Sequence, residues 1–219
     1  MASEDSFINE VTEEVRRDRL FALMRRYGWI AVLIVVLIVG GAAVFEWRKA
    51  QARSAAQAAG DALITALEAE NPEARATALA AVDLPEQAGS RAVVSLLKSA
   101  ADLEADNREA SASALDAVIA DGEIPQIYRD LALLKRMMTG AGDIAADERI
   151  SRLQPLLKPG NPFRLLAIEQ KAYAEIELGE TDAAIETLQG VLADAEGTED
   201  LRLRAQRLIV ALGGTLEQS

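Results

Sequence analysis

Neither cysteine nor histidine occurs among the 219 residues. Disulfides, thiol nucleophiles and thiolate metal sites are therefore excluded, and so are the commonest general base and transition-metal ligand. Aromatic residues make up only 4% of the chain and proline occurs six times, so the apolar half of the sequence is supplied mainly by alanine and leucine. Basic residues are also scarce, with 23 Lys and Arg against 35 Asp and Glu for a net charge of −12. That balance excludes the cationic surface that nucleic-acid phosphates need. No glycine-rich phosphate loop is present, since Gly140-x-Gly142 reads only as a turn. Alanine- and leucine-rich sequence with few β-branched residues beyond position 47 favours helices. The expected fold class is all-α, with no cofactor, no metal and no catalytic constellation.

One long hydrophobic run is present. Residues 27–45, YGWIAVLIVVLIVGGAAVF, contain no charge. As a helix they would extend roughly 28 Å, close to the hydrocarbon thickness of a bilayer. Tyr27 and Trp29 at one end and Trp47 at the other suit the headgroup zone, with Arg25 and Arg26 before and Arg48 and Lys49 after as flanking charges. More than two dozen residues, most of them polar, precede the run and no small-x-small cleavage site follows it, as expected of an uncleaved signal anchor. Five arginines precede the span (Arg16, Arg17, Arg19, Arg25 and Arg26) and three basic residues follow (Arg48, Lys49 and Arg53). This bias places the N-terminus in the cytoplasm and the rest outside it. The expected division is a juxtamembrane segment 1–26, a transmembrane helix 27–47, a helical extension 48–71 and a helical domain 72–219. In the first segment Phe7, Ile8, Val11 and Val15 share one helical face. That segment reads either as a surface-lying or partner-docking helix or as a solvated tail.

Beyond the span, helical periodicity alternates with punctuation. Asn71-Pro72 is a cap followed by a first-turn proline, and Asn161-Pro162 repeats the pairing. Breaks fall at 85–90, 106–107, 122–125, 140–143, 179–182 and 197–198, and Pro155 should kink or end a helix. Ile127, Leu131, Leu134 and Met138 form one apolar stripe, and Ala184, Ile185, Leu188, Val191 and Leu192 another. Alanine recurs at Ala110, Ala146 and Ala184, at the start of each expected second helix of a pair, where a small residue lets two helices approach. AYAEIELGETDAAIETLQGVL, residues 172–192, fits the tetratricopeptide pattern. Ala172 takes its small position, Gly179 ends the first helix, Ala184 makes the close contact and Leu188 fills the large apolar position. Lys171 departs from the pattern by standing where an apolar residue is usual. A terminal helix over 199–212 would cap the array.

Taken together, FINEVTEEVRRDRLFALMRRYGW, YRDLALLKRMM and LLKPGNPFRLLAIEQKAYAEIELGETDAAIETL resemble the tetratricopeptide repeat-like membrane protein family that includes the ancillary subunit of the SecYEG translocon, in its alphaproteobacterial type. The resemblance implies a single-pass anchor in the bacterial inner membrane and a periplasmic solenoid of degenerate helical hairpins. It also implies association with translocon subunits and with a periplasmic chaperone or prolyl isomerase. The implied role is a non-enzymatic protein-interaction scaffold. An accessory subunit of another inner-membrane complex, respiratory or envelope, is the alternative.

Two local patterns resemble chemistry and lack its context. Ser95 and Lys98 match S-x-x-K without the partner motifs of penicillin-recognising enzymes. Asp102, Glu104 and Asp106 open like a calcium loop, but Asn107 and Ser113 stand where glycine and a bidentate glutamate are required. What remains is binding. Tyr128, Met137, Met138, Phe163 and Tyr173 are candidate groove anchors, and hairpin core is the competing reading of each, favoured by their place on or beside apolar stripes. The net charge suggests an acidic groove suited to basic or partly unfolded clients.

Overall fold

A computed structural model of the chain describes residues 4–83 and 87–215, and of residues 4–28, 31 and 32 the backbone alone. Among the described residues every regular element is helical, apart from one isolated bridge between Ala141 and Ile144. The chain is all-α.

Two compact units divide between Gln57 and Ala58. The first belongs to α1, Glu4–Leu67, which runs without interruption through the segments expected to be head, span and extension. In it Leu33, Ile34, Val35, Val36, Leu37, Ile38 and Val39 are all exposed, between 48% and 66%. Among the described residues no helix is long and apolar enough to cross a membrane. The run 27–45 includes positions 27, 28, 31 and 32, whose side chains lie outside that set. So do the flanking Arg25 and Arg26 and the face of Phe7, Ile8, Val11 and Val15. Trp29 and Trp47 are each 64% exposed, and Arg48 and Lys49 are exposed too.

The second unit holds the end of α1 and the shorter helices. Asn71 caps α2, Pro72–Ala80, by accepting the Ala74 N–H at 2.8 Å, with Pro72 in the first turn where its missing donor costs nothing. Then come α3, Ala88–Glu104, and α4, Arg108–Ala120; α5, Gln126–Thr139, and α6, Ala146–Leu153; α7, Arg164–Glu177, and α8, Thr181–Ala193; and α9, Glu199–Ala211. Asn107 caps α4 and Thr198 caps α9 through the same side-chain bond. Helix α6 stops two residues short of Pro155. Asn161-Pro162 does not repeat the Asn71 cap. Its amide accepts the Phe163 N–H at 2.9 Å and donates to buried Asp130 at 2.8 Å, so α7 starts only at Arg164.

The apolar interior is a row of four clusters, each sealed between neighbouring helices. Leu63 and Ala66 of α1 pack with Leu79, Val82, Val94 and Ala101. Ala92, Leu115, Val118, Ile124 and Ala132 form the next, then Leu134, Met137, Ile144, Leu153, Leu156 and Ala167. Ala172, Leu188, Val191, Leu201, Ala205 and Ile209 close the row. Each cluster depends on its neighbours, as in a repeat array.

The hairpin α3–α4 recurs as α7–α8 at a constant offset of 73 positions, Arg91 to Arg164. Buried Val94, Ser99, Ala101, Ser111, Leu115 and Val118 correspond to buried Ala167, Ala172, Ala174, Ala184, Leu188 and Val191. The turns correspond as well. Gly179 has φ +78, with its N–H on Ile176 O at 3.0 Å and the Glu180 N–H on Glu175 O at 2.9 Å, a Schellman ending. At the same offset Asp106 has φ +57, with its N–H on Leu103 O at 3.1 Å and the Asn107 N–H on Asp102 O at 2.8 Å. Even the outer ion pairs repeat. Arg91 bonds Asp121 and Glu123, and Arg164 bonds Asp194 and Glu196. This register corrects one expectation: the small residue at the α3–α4 seam is Ser111, 1% exposed, while Ala110 is only half-buried. Alanine spacing alone picks the wrong neighbour because the seam position of α4 is a serine.

Candidate interaction surface

Three consecutive first helices, α5, α7 and α9, lie side by side. Leu134 and Met137 of α5 share a cluster with Ala167 of α7, and Ala172 of α7 shares one with Leu201, Ala205 and Ile209 of α9. On the flanks of each helix that face these clusters the residues are buried. The remaining side of each presents apolar residues seven apart, on one face after two helical turns. These are Leu131 and Met138 on α5, Leu166 and Tyr173 on α7, and Leu203 and Val210 on α9. Leu131 is half-buried, and the others are 54%, 40%, 40%, 43% and 57% exposed in that order. Exposed apolar residues that recur on three neighbouring helices mark an interaction site more often than scattered ones do.

The five candidate anchors separate cleanly on this geometry. Met138 and Tyr173 stand on the face. Met137 is 1% exposed inside the third cluster and is core, not anchor. Phe163 is half-buried against that same cluster, and Tyr128 is half-buried against Ala92, Leu115 and Ala132. The stripe Ile127, Leu131, Leu134 and Met138 needs a parallel correction. Only Leu134 of the four is buried, because α5 is packed on two flanks, with Ala132 toward α3 and α4 and Met137 toward α6 and α7. Leu166, Leu203 and Val210 were not singled out from sequence. Their seven-residue spacing was legible, but which side of each helix stays open was not.

The repeat-packing residues behave as close contacts. Ala146 is 5% exposed, and Ala172, Ala184 and Leu188 are fully buried. Lys171, the departure from the pattern, is accommodated by an ion pair with Glu175 and a 3.0 Å hydrogen bond donated to Thr187 Oγ1.

At its middle turns this face is not acidic. The carboxylates on the middle turns of α5 and α7 are buried and engaged. Asp130, 7% exposed, accepts from Gln126 at 2.6 Å and from Asn161. Glu169, 5% exposed, receives both arms of Arg204 at 2.7 and 2.9 Å, and Glu175 is held by Lys171. Beside that pair, burial pushes the Tyr173 phenol upward, helped by the Glu169 charge. Many exposed acids lie on second helices and turns, such as Asp116, Asp147, Glu148, Asp182 and Glu186, while Glu177 ends α7 and Glu199 and Asp200 open α9.

A groove of about 780 Å³ lies between α4 and the turn after α5. At its floor Arg136, 8% exposed, bonds Asp143 at 2.6 Å and Asp116 at 3.4 Å. The guanidinium holds Asp143 below the usual carboxylate range. The one guanidinium thus ties α4 to the turn after α5 and leaves one carboxylate charge in excess. Gly140 is needed here because a Cβ would meet Arg136 O at 2.9 Å and Ile144 Cδ1 at 3.0 Å. The two patterns that resembled chemistry are likewise occupied. Lys98 donates to Val82 O at 3.0 Å and Ala80 O at 3.4 Å at the end of α2, and Glu104 pairs with Arg75 at 2.5 Å. No cluster of three or more potential metal-ligating side chains is found among the described residues. Comparison with protein families, with curated proteins and with solved structures finds no match for the chain.

Proposed function

We propose that the chain is a membrane-tethered, non-enzymatic scaffold whose helical array docks a protein partner on the open face of α5, α7 and α9. The observation that carries this reading is the face itself: Met138, Leu166, Tyr173, Leu203 and Val210 are exposed on three adjacent helices. Residues 27–47 serve as the tether, since the apolar side chains described from Leu33 to Trp47 are exposed and hydrocarbon is the environment that would not penalise them. The N-terminus is then cytoplasmic and the array periplasmic, following the arginine bias before the span. The recurrence of one hairpin with its caps and seams supports reading the array as a degenerate tetratricopeptide-like solenoid. Resemblance to the translocon-associated family makes the Sec translocon, with a periplasmic chaperone or prolyl isomerase, the partner assembly.

Two measurements test this. Protease added to spheroplasts should digest the C-terminal domain, and protection would refute the topology. Full-length protein with p-benzoylphenylalanine in place of Tyr173 should crosslink in cells to translocon or chaperone subunits. Stoichiometric crosslinking to a respiratory or envelope complex would keep the docking face and reassign the assembly.

A further inference from the structure

Between the two apolar positions of each first helix lies one polar residue, four after the first and three before the second, and so on the same face. These are Lys135 on α5, Gln170 on α7 and Arg207 on α9. Neither Lys135 nor Arg207 makes an ion pair among the described residues. Of the carboxylates on these helices, Asp130, Glu169 and Glu175 are more than nine-tenths buried and bonded, the last through Oε1. Exposed Glu177 pairs with Arg149, and exposed Asp200 stands two turns before Arg207, about 10 Å along α9. The face thus offers two apolar rows with unpaired cations between them, in a chain of net charge −12.

We infer that the docked segment is acidic, with apolar side chains flanking carboxylates that meet Lys135 and Arg207. This inference rests on the docking reading above and gives its partner a chemistry. Adjacent packed helices stand roughly 8–10 Å apart, so α5 and α9 are separated by roughly 18 Å. An extended strand advances about 3.3 Å per residue, which places the two carboxylates five or six residues apart. The overall negative charge does not decide the matter, because charges beyond about 8 Å are screened at physiological ionic strength and contact is governed by the local pair. A basic segment would instead place its cations against Lys135 and Arg207 at the middle of the face, where Asp200, about 10 Å away at the start of α9, is beyond the screening distance.

The test uses the full chain in zwitterionic nanodiscs and two fluorescent peptides of identical apolar sequence, one with glutamates and one with lysines at the polar positions. The glutamate peptide should bind about tenfold more tightly than the lysine peptide, as two exposed ion pairs allow. Lys135→Glu/Arg207→Glu should invert that order, while Tyr173→Asp should weaken both peptides. Equal binding of both peptides, lost in Tyr173→Asp and unchanged by charge reversal, would overturn the acidic partner and keep the docking face. Binding of neither peptide, or binding indifferent to Tyr173→Asp, would overturn both readings. Unchanged helical circular dichroism confirms that each variant is folded.

Discussion

Ser99 and Ser111 are 2% and 1% exposed, with their hydroxyls 2.9 Å apart across the α3–α4 seam. At the same offset in α7–α8 the two positions are Ala172 and Ala184, both fully buried. The seam therefore tolerates two methyl groups or two hydroxyls, and the exposed question is what one of each would cost. Ser99→Ala strands the Ser111 hydroxyl without its partner, and a buried unsatisfied polar group costs about 1–3 kcal/mol. A helical serine retains a fallback on the carbonyl four residues earlier, so the lower part of that range, about 1–2 kcal/mol, applies to either single change. Ser99→Ala/Ser111→Ala removes both polar groups together and should fall within about 0.5 kcal/mol of the parent. The coupling in the cycle is then about 2–4 kcal/mol and favours the double variant. For a domain of this size each kcal/mol moves the melting midpoint by about 2–4 °C. Single variants should melt about 2–8 °C lower in far-UV circular dichroism and the double variant near the parent. A double variant that loses the sum of the two singles would refute the reasoning, because it would mean that the hydroxyls act independently.

The matched turns give a second comparison. Gly179→Ala, at φ +78, should cost about 1 kcal/mol, whereas Asp106→Gly, at φ +57, should gain roughly 0.5 kcal/mol, both read as melting shifts. Core and surface methionines should differ sharply: Met137→Ala should cost about 2–5 kcal/mol and Met138→Ala less than about 0.5 kcal/mol, and equal effects in denaturant unfolding would contradict the α5 packing. Acid should also matter. Arg91 holds Asp121 below its ordinary pKa, Arg136 does so for Asp143, and the Glu196 N–H and Arg164 do so for Asp194. A depressed folded pKa contributes stability above the unfolded value of about 3.9 and loses it as pH falls through the folded value. Melting midpoints should therefore drop as pH falls from about 5 to 2, and Asp143→Asn should lower stability at pH 7 and flatten that slope.

Much of this protein is determined locally. Helical class follows from alanine and leucine without β-branched runs, and helix ends follow from Asn71-Pro72, Asn107, Gly179 and Thr198, each of which satisfies terminal backbone groups with its own side chain or with a left-handed turn. The uncharged run 27–45 and the packing of Ala172, Ala184 and Leu188 are legible for the same reason, since residue type and spacing state them. Tertiary structure decided what spacing leaves ambiguous. Periodicity shows that Met137 and Met138 lie in a helix, but only the neighbours of α5 on two flanks bury one and expose the other. The seam residue of α4 is Ser111 and not Ala110, because a hydroxyl pair does there what two alanines do in α7–α8. Net charge suggested an acidic groove. The fold instead spends Asp130, Glu169 and Glu175 on buried partners and leaves Lys135 and Arg207 on the open face, because pairing depends on which helices meet and not on how many charges the chain carries.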